Sequence, residues 1–225
     1  MDLEILGTIL YIVNIILSLL FTALIIDKLY ISKKFSKEKN FHFYNDLFSW
    51  EMFYIFISIE NILQILLLFL LDNVQISFFL LRIRILIMFF PFWTKIIHLE
   101  RVMDLISYER HYFAGLIPLI IILVLGFTSL SNIILIFVFL FTTFIPFLIF
   151  FLFWNNIGTS RNKTLLIVFG ACVIIFGYVF GPDILDRYMG FSKTVDIIIE
   201  LTNIIAPISF IIGTLLIFNS FRKDL

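Results

Sequence analysis

Apolar residues fall along the chain in long unbroken runs, at residues 5–26, 49–71, 76–98, 112–130, 133–153, 164–181 and 195–218. Each approaches the roughly 20 residues that a helix needs to cross a hydrocarbon core of about 30 Å. Runs without alternation do not suit the strands of a membrane barrel, which alternate over about 10 residues. The pattern therefore predicts an all-α membrane protein, a single seven-transmembrane helix bundle covering residues 1–225. The first run lacks the positive leader and small-residue cleavage site of a secretory signal and is longer than a signal core, so a retained span is expected.

Composition agrees with that class. The chain is 62% hydrophobic and 14% charged, with a mean hydropathy of +1.11, whereas a soluble domain has about 45–50% apolar and about 25% charged residues. A water-soluble reading is excluded, and the lipid bilayer is the expected partner. A net charge of zero argues against nucleic acid as a target. Cys172, the single cysteine, precludes a disulfide framework or thiolate metal site within one chain. The 30 phenylalanines read as lipid-facing usage.

Lysine and arginine set the expected direction. Lys28, Lys33, Lys34, Lys37 and Lys39 follow the first span, Lys95, Arg101 and Arg110 the third, Arg161 and Lys163 the fifth, and Arg222 and Lys223 the seventh. Only Arg187 and Lys193 fall on the opposite side. The positive side is cytoplasmic, so the amino terminus is expected outside and the carboxyl terminus inside. Trp50, Trp93 and Trp154 lie at the cytoplasmic ends of their spans, where an amphipathic ring suits the headgroup level.

The third run departs from the rest by carrying Arg82 and Arg84 inside its apolar stretch. An arginine there costs about 2.5–3.5 kcal/mol even on the lenient insertion scale, so each needs a partner, water or a route to the interface. At about 1.5 Å per residue the two lie roughly 9 and 12 Å from the outer end of that helix. The second span brings Glu60, Asn61 and Gln64 to a similar depth, and the seventh brings Asp196, Glu200, Thr202 and Asn203. Glu60 and Gln64 are four apart, and Asp196, Glu200 and Asn203 follow at i, i+4 and i+7, so each set shares a helix face. Arg82 and Arg84 are separated by about 200° around a helix. One is expected to face the interior while the other snorkels outward or meets a different neighbour. The expected site is an outward-facing polar layer of Glu60, Gln64, one arginine, Glu200 and Asn203, either an ion-pair cluster that fixes helix order or a site for a small ligand or ion. With two acids balanced by two arginines, fixed pairing or recognition is favoured over proton pumping.

Pro91, Pro118, Pro146 and Pro207 lie within spans as hinge or kink positions, and Pro207 frees the carbonyl of Asn203. No span-buried lysine suits a Schiff base. His42, His98 and His111 form no pair at helical spacing, so no metal centre is expected, and His98 and His111 read as interfacial residues. No nucleophile elbow or glycine-rich phosphate loop occurs, so neither an enzyme nor a cofactor is expected. The lysine-rich stretch 27–46, with interleaved aromatics, suits an anionic leaflet or simply obeys the charge rule. The first three and last three spans share no motif, and the Pro-Gln pair of the small sugar transporters is absent.

The stretch P-F-W-T-K-I-I-H-L-E-R from Pro91 to Arg101, and E-L-T-N-I-I-A-P-I-S-F-I-I-G-T-L-L-I-F-N-S-F-R from Glu200 to Arg222, resemble spans of the seven-helix sensor module at the head of some prokaryotic histidine kinases. The resemblance implies a receptor-like module that senses at the outer face or within the bilayer and transmits through the seventh helix. The sequence ends at Leu225 with no kinase, cyclase or coiled-coil segment, so output through a separate cytoplasmic signalling protein is expected. A small transporter or channel using the same layer, and a structural subunit of a membrane complex, are the alternatives.

Overall fold

The computed structural model describes residues 3–35, 46–69, 74–107, 113–128, 132–154, 161–181 and 193–222. Among them are seven helices. These are α1 (Leu3–Phe35), α2 (Asp46–Phe69), α3 (Val74–Ser107), α4 (Phe113–Gly126), α5, α6 (Arg161–Val179) and α7 (Lys193–Phe221). Helix α5 runs as Asn132–Phe139, passes through a π-helical turn at Leu140–Phe144 and continues as Ile145–Trp154. With no water in hydrocarbon to satisfy backbone groups, a long apolar segment must close its hydrogen bonds internally, as a helix does.

Among the described residues α1, α2, α5, α6 and α7 are long and apolar enough to cross a bilayer. Their surfaces are those of lipid-embedded helices. Helix α1 turns Ile9, Ile12, Val13, Ile16, Leu19 and Leu20 outward and buries Asn14, Ser18 and Thr22. That inversion is unstable in water, where such an apolar face would be an aggregation surface. The chain is a multi-pass, all-helical membrane bundle.

Three helices differ markedly from their expected spans. Helix α3 has 34 residues and continues past His98 to Ser107. Helix α4 has only 14 residues and stops at Gly126 rather than near residue 130. At about 1.5 Å per residue the described part of α4 covers about 21 Å. Helix α1 likewise extends to Phe35, into the stretch expected as a lysine-rich loop. The remainder of that loop, residues 36–45, lies outside the described residues.

The helices close into a ring in chain order. Helix α1 packs on α2 and α7, α2 on α3, α3 on both α4 and α5, α5 on α6, and α6 on α7. Aromatic contacts fix their directions. Moving along α1, Tyr11 meets Phe210 and Phe21 meets Phe218, so α1 and α7 run parallel. Tyr54 donates to the Thr214 carbonyl while Trp50, a turn earlier, stacks on Phe221, so α2 runs antiparallel to both. The interior is phenylalanine-rich, and Phe92 is surrounded by Phe53, Phe139, Phe144 and Phe147 with ring centroids 5.1–6.0 Å away.

Several residues expected at headgroup level pack against other helices. Trp50 is 1% exposed and packs on Phe53 and Phe221. Trp93 is half-buried, its indole N–H donating to the Gly115 carbonyl at 2.8 Å. His98 and Lys95 are buried because α3 continues past them and packs. The side chain of Trp154, and His111, lie outside the described residues.

Helices α6 and α7 meet through small residues. A Cβ on Gly213 would stand 2.6 Å from the Gly170 carbonyl oxygen, and one on Gly177 would stand 2.8 Å from that of Ala206. Small residues let membrane helices approach this closely, which is where their packing attraction arises. Gly213→Ala should therefore destabilise the detergent-purified protein by about 1–3 kcal/mol, because a backbone carbonyl cannot step aside. Gly126→Ala, whose new methyl would meet only the tip of Leu86, should cost less; comparing melting temperatures checks the order.

Candidate functional site

The interior stripe of α3 contains Leu81, Arg84, Ile85 and Met88, all inaccessible to solvent. Arg84 is thereby aimed between the helices. Its Nε donates to Glu60 Oε1 of α2 at 2.6 Å, and both side chains are fully buried. The guanidinium also lies over the ring of Tyr178 on α6, 4.8 Å from its centroid. Charge pairing and the negative ring face act together where water cannot compete. Removing one member of such a pair costs about 3–5 kcal/mol, since the other charge is left buried alone.

With Glu60 going to Arg84, Arg82 takes the other side of α3 and bonds to backbone carbonyls. Its Nε donates to the Gly126 carbonyl at 2.7 Å and its Nη2 to the carbonyls of Leu125, at 3.3 Å, and Thr128. These carbonyls lie at or just past the end of α4, where no further helical turn supplies donors; the Leu125 carbonyl also accepts from the Thr128 N–H and hydroxyl. A cation there also complements the helix dipole. At the opposite end of α4, the Gly115 N–H donates to Glu100 Oε2 at 2.9 Å. Helix α3 thus supplies an acid to one end of α4 and a base to the other.

Of the other expected site residues, Gln64 is fully buried on the same helix as Glu60, and Asn203 is buried on α7. Asp196 and Glu200 belong to the first turns of α7, but their side chains lie outside the described residues. Pro207 sits four residues after Asn203 inside α7. It cannot donate to the Asn203 carbonyl, and that carbonyl abuts Gly7 of α1 so closely that a Cβ on Gly7 would collide with it. Pro91 and Pro118 are inside α3 and α4. Pro146 lies two residues past the last residue of the π-helical turn of α5, where the helix absorbs the missing donor by widening.

Sequence reasoning missed four contributors to the interior polarity. Asn14 and Ser18 of α1 are fully buried, as is Tyr178 beside Arg84. Asn14, Ser18 and Thr22 recur every four residues within an Ile/Leu run, a polar stripe that the search for charges passed over. Lys95, counted among the loop cations, is fully buried, donates to Ser49 Oγ at 2.7 Å and lies 3.5 Å from the Trp50 ring centroid. Desolvated cation–π contact of this kind contributes about 2 kcal/mol or more.

Among the described residues no group of three or more His, Cys, Asp or Glu could hold a metal ion. The chain matches no protein-family model, no curated protein and no solved structure. The likeness to the kinase-linked sensor module therefore stands on layout and the short motifs alone.

The Arg82 arrangement has a local consequence. Arg82→Gln should leave the bundle folded but fray the end of α4, raising amide hydrogen exchange over residues 123–128 about tenfold or more, as each lost charged hydrogen bond contributes about 1.5–3 kcal/mol. Unchanged exchange there would show that α4 ends without help from α3.

Proposed function

We propose that this protein is a stand-alone receptor-like sensor with a polar ligand site in the outer half of the bundle, signalling through a separate cytoplasmic protein. In this reading it sits in the plasma membrane of a prokaryote, amino terminus outside and carboxyl terminus inside. The excess of lysine and arginine in one set of connections supports that direction, even with Lys95 withdrawn from the count. The likeness to the kinase-linked sensor module points to the same class.

The observation that carries the reading is the link between the Arg84–Glu60 pair and the far end of α7. The pair touches α6 through Tyr178, and α6 is closely packed on α7 beside Pro207 through Gly177 and Ala206. Helix α7 then continues to Phe221, which stacks on Trp50, and Trp50 in turn carries Lys95. A change in pairing at the polar layer has a continuous packed route to the cytoplasmic end, with a proline in α7 at the point where the route begins. Such a route transmits only if it has two arrangements that the layer can bias.

A small transporter or channel is the second reading, favoured by the buried polar side chains of Asn14, Ser18 and Asn61 in the same region. Spin labels at Arg222 and on α2, in a Cys172→Ser background, separate the two. For a sensor, Glu60→Gln should shift the distance distribution between the labels while vesicles containing the variant remain impermeable to protons, sodium and potassium. Ion flux that depends on Glu60 would establish transport. An unchanged distribution without flux would leave the pair as scaffolding.

A further inference from the structure

Beside the ion pair lies a set of polar groups that the pairing does not use. Asn14, on α1, is 0% exposed, and neither its Nδ2 nor its Oδ1 has a hydrogen-bond partner among the described residues. The same holds for Ser18 Oγ, one turn along the same face, and for Asn61 Oδ1 on α2. The Asn61 amide nitrogen is committed to the Ile57 carbonyl at 2.6 Å, which leaves its oxygen as the group on offer. Leaving a buried amide or hydroxyl unsatisfied costs about 1–3 kcal/mol each, and such groups in folded proteins nearly always have a partner.

The helix register brings these groups together. Phe21 packs edge-on against Tyr54 with centroids 5.5 Å apart, and α1 and α2 are antiparallel neighbours. Asn14 lies seven residues before Phe21 and Asn61 seven after Tyr54. Seven residues are two turns, which return each helix to the same face, so Asn14 and Asn61 sit at one level across the α1–α2 contact. Ser18 borders that level, and Glu60, the partner of Arg84, is the residue next to Asn61.

We propose that Asn14, Ser18 and Asn61 hold an uncharged guest that both donates and accepts hydrogen bonds, no larger than a small amide or alcohol, with water its smallest form. Among the described residues the charges of this layer, Arg84 and Glu60, neutralise one another, which disfavours an ion as the guest. The donor–acceptor balance excludes a pure acceptor or a pure donor. The site offers an amide N–H₂ and a hydroxyl proton alongside amide and hydroxyl oxygens, so a complementary guest carries both functions. Ordered water bridging such groups makes two to four bonds, as this cluster provides. This rests on the polar layer being a ligand site, as proposed above, but not on the protein signalling.

The test uses full-length protein in nanodiscs with Asn14→Leu, Asn61→Leu and the double variant. Leucine matches asparagine in size and removes only its polarity. If the amides share a guest, each single change lowers the melting temperature by at least about 3 °C, and the double variant is no worse than the poorer single one, because the guest is lost once. Acetamide and glycerol, added to extensively dialysed wild type, identify the source: a saturable rise in melting temperature, absent from Asn14→Leu, marks a free solute. No rise, with discrete density between Asn14 and Asn61 in a high-resolution map, marks water. Singles that raise the melting temperature, strictly additive losses, or a saturable rise with sodium acetate or ammonium chloride would each overturn the proposal. Such a result with the Glu60→Gln displacement at Arg222 intact would remove the guest and leave the sensor reading standing; a coupled pair without that displacement would do the reverse.

Discussion

A guanidinium held away from water dictates what surrounds it. Arg84 has no solvent contact, and its Nε–Glu60 bond of 2.6 Å ties α3 to α2 at the level where Tyr178 of α6 covers the cation. In hydrocarbon the hydrophobic effect gives helices no reason to associate, so order comes from packing and from polar groups that must find one another. The pair chooses partners, while the small-residue contact of α6 on α7 supplies close approach. The ring order follows from both.

The second arginine shows the same constraint solved differently. Arg82 satisfies carbonyls at the end of α4, and Glu100 satisfies an N–H at its start. Helix α3 is thereby the organising element of the fold, with one cation spent on the bundle interior, one on a short neighbour, and Lys95 beyond them resting on Trp50 and Ser49. All three cations fall within the 14 residues from Arg82 to Lys95.

Much of this was legible in the residues. Charges inside an apolar run are conspicuous, so Arg82, Arg84 and Glu60 stood out, and the angular separation of the two arginines required different environments. What escaped was set by packing rather than composition. The apolar run 112–130 does not reveal that its helix ends at Gly126, because the stop depends on carbonyls captured by a residue of another helix. Trp50 obeys the rule for interfacial aromatics by position, yet tertiary contacts with Phe53 and Phe221 hold it inside. Asn14 and Ser18 are small and neutral, and only their complete burial gives them weight. The side chains of Asp196 and Glu200 lie outside the described residues, among which the layer draws on α1, α2, α3, α6 and Asn203 of α7.

The most direct measurement of the central claim is a double-mutant cycle on unfolding free energy in a bilayer mimic, with Glu60→Gln, Arg84→Met and both together. If the pair organises the bundle, each single change destabilises by about 3–5 kcal/mol, and the double variant recovers most of one loss, giving a coupling of at least about 2 kcal/mol. Two small and additive losses would contradict the account, leaving Arg84 and Glu60 as neighbours on which the fold does not depend.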